Sequence, residues 1–269
     1  MKWFRHRTVL LTILTLSTLA WIFGCKESKE TQGVSTREHE TPPSWLSKSY
    51  LMGRFDPHAH PLFDTLPSWL SSKEHLVLRR EALEALLKMV KDLQEEGLTI
   101  TVHSATRNFD YQRRIWERKW HELVRERFPA KDSLSFEDSM TIARTILRWS
   151  SMPGTSRHHW GTEIDINSFD NAYFESGEGQ RLYHWLRTHA AAYGFCQPYT
   201  AKDSTRPYGY EEERWHWSYM PLSQRCTQWY VDSVHVRDIR GFVGDNVVDT
   251  LQIIRQYVLG IAPTCREDK

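Results

Sequence analysis

Residues Ser156 to Asn167 read SRHHWGTEIDIN, and the second half of this stretch alternates, with Ile164 and Ile166 flanking Asp165. On a strand, successive side chains point to opposite faces. The two isoleucines therefore predict a core face, and Asp165 and Glu163 the opposite one. His158 stands seven residues before Asp165, across a glycine-containing turn that can fold it back beside the carboxylate. A second segment, EERWHWSY from Glu212 to Tyr219, sets Glu213 three residues before His216 on another predicted strand, Arg214 to Tyr219. Ligand-type side chains on the outer face of short strands are the unit around which the fold is expected to form.

The surroundings of these strands read as helices. Leu83, Leu86, Leu87, Val90 and Leu93 recur at helical spacing, and Gly97 supplies the stop. Leu98, Ile100 and Val102 then alternate with polar residues, predicting a strand. A second helix is expected from about Asp110 to Phe128. Ser135 and Asp138 form a capping-box pattern for a third, running to about Trp149. Further expectations are a helix over about 179–193, a strand from Phe195 to Tyr199, and a C-terminal helix over 246–259 carrying Val247, Leu251, Ile254 and Val258. Together they predict one α+β domain, a small mostly antiparallel sheet flanked by helices, with the site on the sheet.

Composition narrows the class. The chain has 269 residues, 40% hydrophobic and 26% charged, enough for one substantial core. A formal net charge of +1 gives no electrostatic argument for nucleic acid. At the N-terminus, Lys2, Arg5 and Arg7 precede an apolar run from Val9 to Gly24, and Cys25 follows, the pattern of an export signal. Ile22-Phe23-Gly24-Cys25 resembles a bacterial lipobox, which implies lipidation at Cys25; an uncleaved anchor helix is the other reading, and both export the protein. Residues 1–24 are thus expected to be a signal, 25–44 a polar tether and 45–269 the folded domain. Facing the periplasm or cell exterior, two of Cys196, Cys226 and Cys265 are expected to pair, with all three pairings open.

Two histidines, one aspartate and one further glutamate are the parts of a catalytic zinc centre: three protein ligands and a carboxylate to handle protons. The Asp56-Pro57-His58-Ala59-His60 stretch offers a competing HxH pair, but reads more simply as a loop. His159, next to His158, is a rival ligand that would point elsewhere on an extended backbone.

SRHHWGTEID resembles the S-x-H-x-x-G-x-x-x-D motif of the VanY-type D,D-carboxypeptidases, zinc peptidases of bacterial cell walls in the LAS superfamily. ERWH is similar to their E-P-W-H motif, SATRNFDYQ (Ser104 to Gln112) to an upstream S-G-Y-R-S-x-x-x-Q element, and YGFCQPY to a Y-G-F-x-x-x-Y segment, all in the same order. The resemblance implies Zn2+ on His158, Asp165 and His216, Glu213 as catalytic base, and Arg107 on the substrate. Ser104, Gln112 and Ser156 would line the cleft, and the substrates would be peptidoglycan stem peptides. It leaves open D,D, L,D or endo cleavage, or a non-catalytic wall-binding lipoprotein. Two departures stand out: Arg214 replaces the proline, and Glu163 stands where a small apolar residue is usual, able to orient a ligand or reshape the pocket.

Overall fold

The computed structural model describes residues 43–266; the signal, Cys25 and most of the tether lie outside the described residues. A four-residue helix, α1 (Lys48–Leu51), leads into a two-stranded hairpin of β1 (Phe63–Thr65) and β2 (Val77–Arg79). Helix α2 (Arg80–Glu95) follows directly, then β3 (Val102–Ser104), α3 (Phe109–Arg127) and α4 (Phe136–Ile146). A single 3₁₀ turn, Arg157–Trp160, precedes β4 (Glu163–Ile166), and α5 (Gly177–His189) follows it. The chain continues through β5 (Phe195–Cys196), β6 (His216–Tyr219) and α6 (Met220–Ser233). Strands β3, β4, β6 and β5 lie side by side in that order, every neighbouring pair antiparallel. This is the expected α+β domain, and the described residues form one compact unit.

Helix α2 buries Ala82, Leu83, Leu86, Met89, Val90 and Leu93. It shares a core with Val102, Ile164, Ile166, Trp217, Leu182 and Leu186, so one face of the sheet is apolar and closed by α2 and α5. A second core joins α1, α3, α4 and α6 with the C-terminal segment, around Trp116, Trp120, Trp160 and Tyr230. Between these cores lies the other face of the sheet. The register sets Asp165 opposite His216, Glu163 opposite Ser218 and Ser104 opposite Asp165. Polar side chains are thus stacked on adjacent strands while their apolar neighbours pack behind.

Helix ends follow the sequence signals. Asn108 caps α3 by accepting from the Tyr111 amide, and both hydrogen bonds of the Ser135–Asp138 capping box are present. The strands are shorter than expected. Leu98 and Ile100 are buried in alternation with Thr99, but laddering starts at Val102 because β4 ends at Ile166. Strand β5 stops at Cys196, just before Gln197 and Pro198, the latter without an amide to donate.

The C-terminal helix is not formed as expected. Residues Asp245–Val247 make a 3₁₀ turn and Ile254–Val258 a π-helical turn, with Gln252 between them at φ 46°. That left-handed residue resets the phase. Ile253 becomes fully buried, and Ile254, the position the helical spacing selects, is only half-buried. Cys196 and Cys265 form a disulfide that ties this segment to the sheet, leaving Cys226 a buried thiol pushed up to about 12 by burial.

Candidate active site

His158 enters from the 3₁₀ turn, Asp165 from β4 and His216 from β6. The turn needs Gly161 at φ 73°, where an added Cβ would lie 2.3 Å from the Phe63 ring. One ligand-type atom from each of the three residues lies within 4.8 Å of the others, and all three are buried. Asp165 Oδ1 is 2.8 Å from His216 Nδ1, and Asp165 Oδ2 is 3.2 Å from His158 Nε2. The backbones fix both rings: His158 Nδ1 lies 2.7 Å from the Ala105 carbonyl, an acceptor only, so this nitrogen carries the hydrogen.

Burial, helped by the Arg107 guanidinium, pulls the His158 pKa down against the opposing pull of Asp165, and the neutral ring presents its lone pair at Nε2. That buried atom makes no hydrogen bond, although a carboxylate oxygen is 3.2 Å away. Burial disfavours ionising Asp165, but the facing His158 and His216 outweigh it and hold the carboxyl well below its usual range. With the ring neutral, the Nε2 lone pair and the carboxylate oxygen repel at this distance, so the contact is favourable only with a proton or a metal ion between them. Two imidazole nitrogens and one carboxylate oxygen, with space beside them, are the donor set of a catalytic zinc centre. The residues fit the ion.

His216 is held at both ends, with Nε2 donating to Glu163 Oε2 at 2.9 Å. Burial opposes a charge on this ring, but hydrogen bonds to Asp165 and Glu163 raise its pKa to about 10. A proton thus occupies the same cluster strongly when no metal does. Glu213 Oε2 lies 3.6 Å from His216 Nδ1. Burial pushes Glu213 up to about 8, against the pull of His216 and with the push of Asp165. A carboxyl group poised near neutrality beside a metal-type site suits proton transfer in both directions.

These groups open into a cleft of about 710 Å³. Ser104, Arg107 and Ser156 line it, together with His158, Asp165, Glu213 and His216. Arg107 Nη2 is 3.9 Å from Asp165 Oδ2, and among the described residues neither its buried Nε nor the buried Ser156 Oγ has a hydrogen-bond partner. Gln112 departs from expectation. It is fully buried outside the cleft lining, and its Nε2 donates to the carbonyl of Ser151, so it supports the wall from behind. His159 uses both ring nitrogens on backbone, accepting from the Gly154 amide and lying 2.6 Å from the Arg107 carbonyl. His60 packs among Tyr50, Phe55 and Phe63, and the HxH pair gathers no third ligand among the described residues. Arg214 turns to Glu212 and Glu175, away from the cleft.

The sequence reading missed Lys119. It reaches the cleft from α3, whose Tyr111, Ile115, Arg118 and Lys119 fall at helical spacing along one lining stripe. Its Nζ donates to Ser150 Oγ, and no carboxylate lies within salt-bridge distance of it among the described residues. Burial, then Arg107 and Arg118, pull its pKa down. Part of the lining is aromatic, with Trp215 between Trp149 and Phe169 at centroid distances of 6.0 and 6.2 Å.

The sequence model of one family, VanY, described as D-alanyl-D-alanine carboxypeptidase, matches residues 75–222. The chain belongs to that family. The match runs from just before β2 into the start of α6 and so takes in the whole four-stranded sheet and every residue of the cluster. Among relatives of this VanY-family chain, YodJ of Bacillus subtilis (strain 168), which carries the name of a carboxypeptidase, is 27% identical over 202 residues, 71% of this chain and 65% of its own length. A D-alanyl-D-alanine carboxypeptidase of Enterococcus faecalis (strain ATCC 700802 / V583) is 34% identical over 74 residues, 28% of this chain and 26% of its own. The chain therefore spans less than two thirds of either. Among solved structures, a vancomycin-resistance D,D-pentapeptidase VanY mutant in complex with Zn(II) aligns with TM-score 0.44 and 23% identity, over 63% of this chain and 83% of that one.

Proposed function

We propose that this protein is a zinc-dependent carboxypeptidase that removes the terminal D-alanine from peptidoglycan stem peptides at the cell envelope, tethered there by a lipid on Cys25. The convergence of His158, Asp165 and His216 beside a buried Glu213, at the floor of an open cleft, is the observation that carries this reading. His158 Nε2, an Asp165 carboxylate oxygen and His216 Nδ1 would hold the metal. Zinc there would supply a Lewis acid that lowers the pKa of water from about 15.7 to about 7 and polarises the scissile carbonyl.

The chain's own groups do the rest. Glu213 takes the proton of the attacking water and returns it to the departing amine, which its position among opposing charges suits. Arg107 faces the same pocket with an unpaired Nε and meets the negative charge that develops on the carbonyl oxygen. Lys119 supports exo- rather than endo-cleavage: a half-buried ammonium with no carboxylate at salt-bridge distance among the described residues is a receptor for the free carboxylate of a peptide terminus. The aromatic wall of Trp149, Trp215 and Phe169 offers apolar area to the rest of the stem.

The test is incubation of the zinc-loaded protein with defined stem peptides ending in one or two D-alanines, and with a cross-linked dimer, reading products by mass. Release of D-alanine from the pentapeptide, abolished by Glu213→Gln, is the expected result. Cleavage of the dimer alone would assign endopeptidase activity. Metal uptake with no product from any peptide would make the protein a binder.

A further inference from the structure

Glu163 is fully buried and lies outside the cleft lining, so it does not meet substrate. Its Oε2 accepts from His216 Nε2 at 2.9 Å. Its Oε1 accepts from Ser218 Oγ at 2.7 Å, Thr162 Oγ1 at 3.1 Å and Arg157 Nε at 3.2 Å. Arg157 is itself 1% exposed; its Nη1 donates to Thr227 Oγ1, its Nη2 donates to Ser218 Oγ, and its guanidinium stacks 4.6 Å from the Trp160 ring centroid. The carboxylate is thus pinned from β6, from Thr162 and from the 3₁₀ turn at once, and Arg157 is held in turn by Thr227 of α6. Neither carboxylate can donate, so in the metal-free ring Nε2–H points to Glu163 and Nδ1–H to Asp165; of the two, only Nδ1 faces the His158–Asp165 cluster, where a metal can take the place of its hydrogen.

We infer that Glu163, locked by Arg157, is a positioning residue that selects Nδ1 of His216 as the metal-binding atom and fixes the plane of its ring. This inference rests on the zinc reading above. It explains why a charged pair is buried beside the cluster, where an apolar pair would fill the same space. A carboxylate hydrogen-bonded to the outer nitrogen of a ligand histidine sets its tautomer, sharpens its orientation and strengthens it as a donor, and loss of such a group weakens metal binding by about 10- to 100-fold. Register supplies the geometry: Glu163 and Asp165 share one face of β4, so a single strand carries both the ligand and the support of the ligand opposite it.

The test is zinc affinity by chelator competition, on the full chain at fixed pH. Arg157→Met combined with Glu163→Leu removes both charges together, so no unpaired ion remains buried, and apolar replacement of such a pair is generally tolerated by the fold. The expected outcome is a folded protein whose zinc dissociation constant is about 10- to 100-fold higher than that of the unaltered chain. At saturating zinc, KM for the stem peptide stays as it was, because Glu163 does not touch the peptide. A folded double variant that binds zinc as tightly as the unaltered chain would reduce Glu163 to a structural brace and overturn the inference. Should the variant fail to fold, ¹⁵N imidazole spectra of the unaltered zinc-loaded protein decide. His216 must show a protonated Nε2 and a metal-shifted Nδ1, and the reverse assignment refutes the inference. Absence of zinc binding by the unaltered protein would instead defeat the zinc reading, so the two failures are distinguishable.

Discussion

Replacing Lys119 by methionine keeps the length and apolar stem of the side chain and removes only its charge. In the cleft, Lys119 Nζ has Ser150 Oγ as its hydrogen-bond partner and, among the described residues, no carboxylate within salt-bridge distance. One charge-assisted hydrogen bond to a terminal carboxylate is worth about 1.5–3 kcal/mol. At about 1.4 kcal/mol per factor of ten, the variant should lose roughly 10- to 150-fold in kcat/KM on peptides with a free C-terminus. The contact exists before and during bond cleavage, so the loss should fall mainly on KM. The control is the same peptide with its C-terminus amidated. The unaltered protein should cleave it poorly, and Lys119→Met should cleave it no worse. Being half-buried, the contact should also resist added salt better than a surface pair would. Equal losses on free and amidated peptides, or no loss on either, would refute the assignment of Lys119 to the terminal carboxylate.

Four further outcomes follow from the same geometry. Glu213→Gln should retain zinc while kcat falls about 10²- to 10⁴-fold, measured by metal analysis and peptide turnover. In chelator-treated protein the same substitution should alter stability against pH. Glu213 is raised from 4.5 to about 8 on folding, so the folded state holds its proton more tightly; that stabilisation is complete below pH 4.5 and gone above pH 8. Thermal melts should therefore decline less across pH 4.5–8 in Glu213→Gln than in the unaltered chain. Arg107→Met should lower kcat by about 10²- to 10³-fold with zinc content unchanged, the cost of removing one donor to the developing oxyanion. Replacing both Cys196 and Cys265 by serine opens a loop of 69 residues and should cost about 4 kcal/mol of stability in urea titrations, without changing zinc stoichiometry.

Alternation and helical period carried much of the fold. Ile164 and Ile166 on one side and Asp165 on the other are enough to orient β4, because a strand's period of two leaves no third choice. The stripe on α2 and the caps of α3 and α4 were legible for the same reason: each is a local pattern with a local cause. The C-terminal segment was not. Its spacing favours one continuous helix, yet Gln252 adopts φ 46° so that Ile253 can be buried, a decision made by the core it packs into. Gln112 and Lys119 show the same limit from two sides. Both lie on α3, and only the placement of that helix against the cleft decides that the first is behind the wall and the second in it.

The set of ligand-type residues, their faces on short strands, and the family motifs that contain them were legible in residue order alone. Tertiary structure alone decided which atoms meet. The antiparallel register brings Asp165 to His216 and Glu163 to Ser218, and the placement of the C-terminal segment beside β5 closed one disulfide among three possible pairings. The reason is physical: side-chain direction is a property of the local backbone, whereas a distance between two strands belongs to the sheet that joins them.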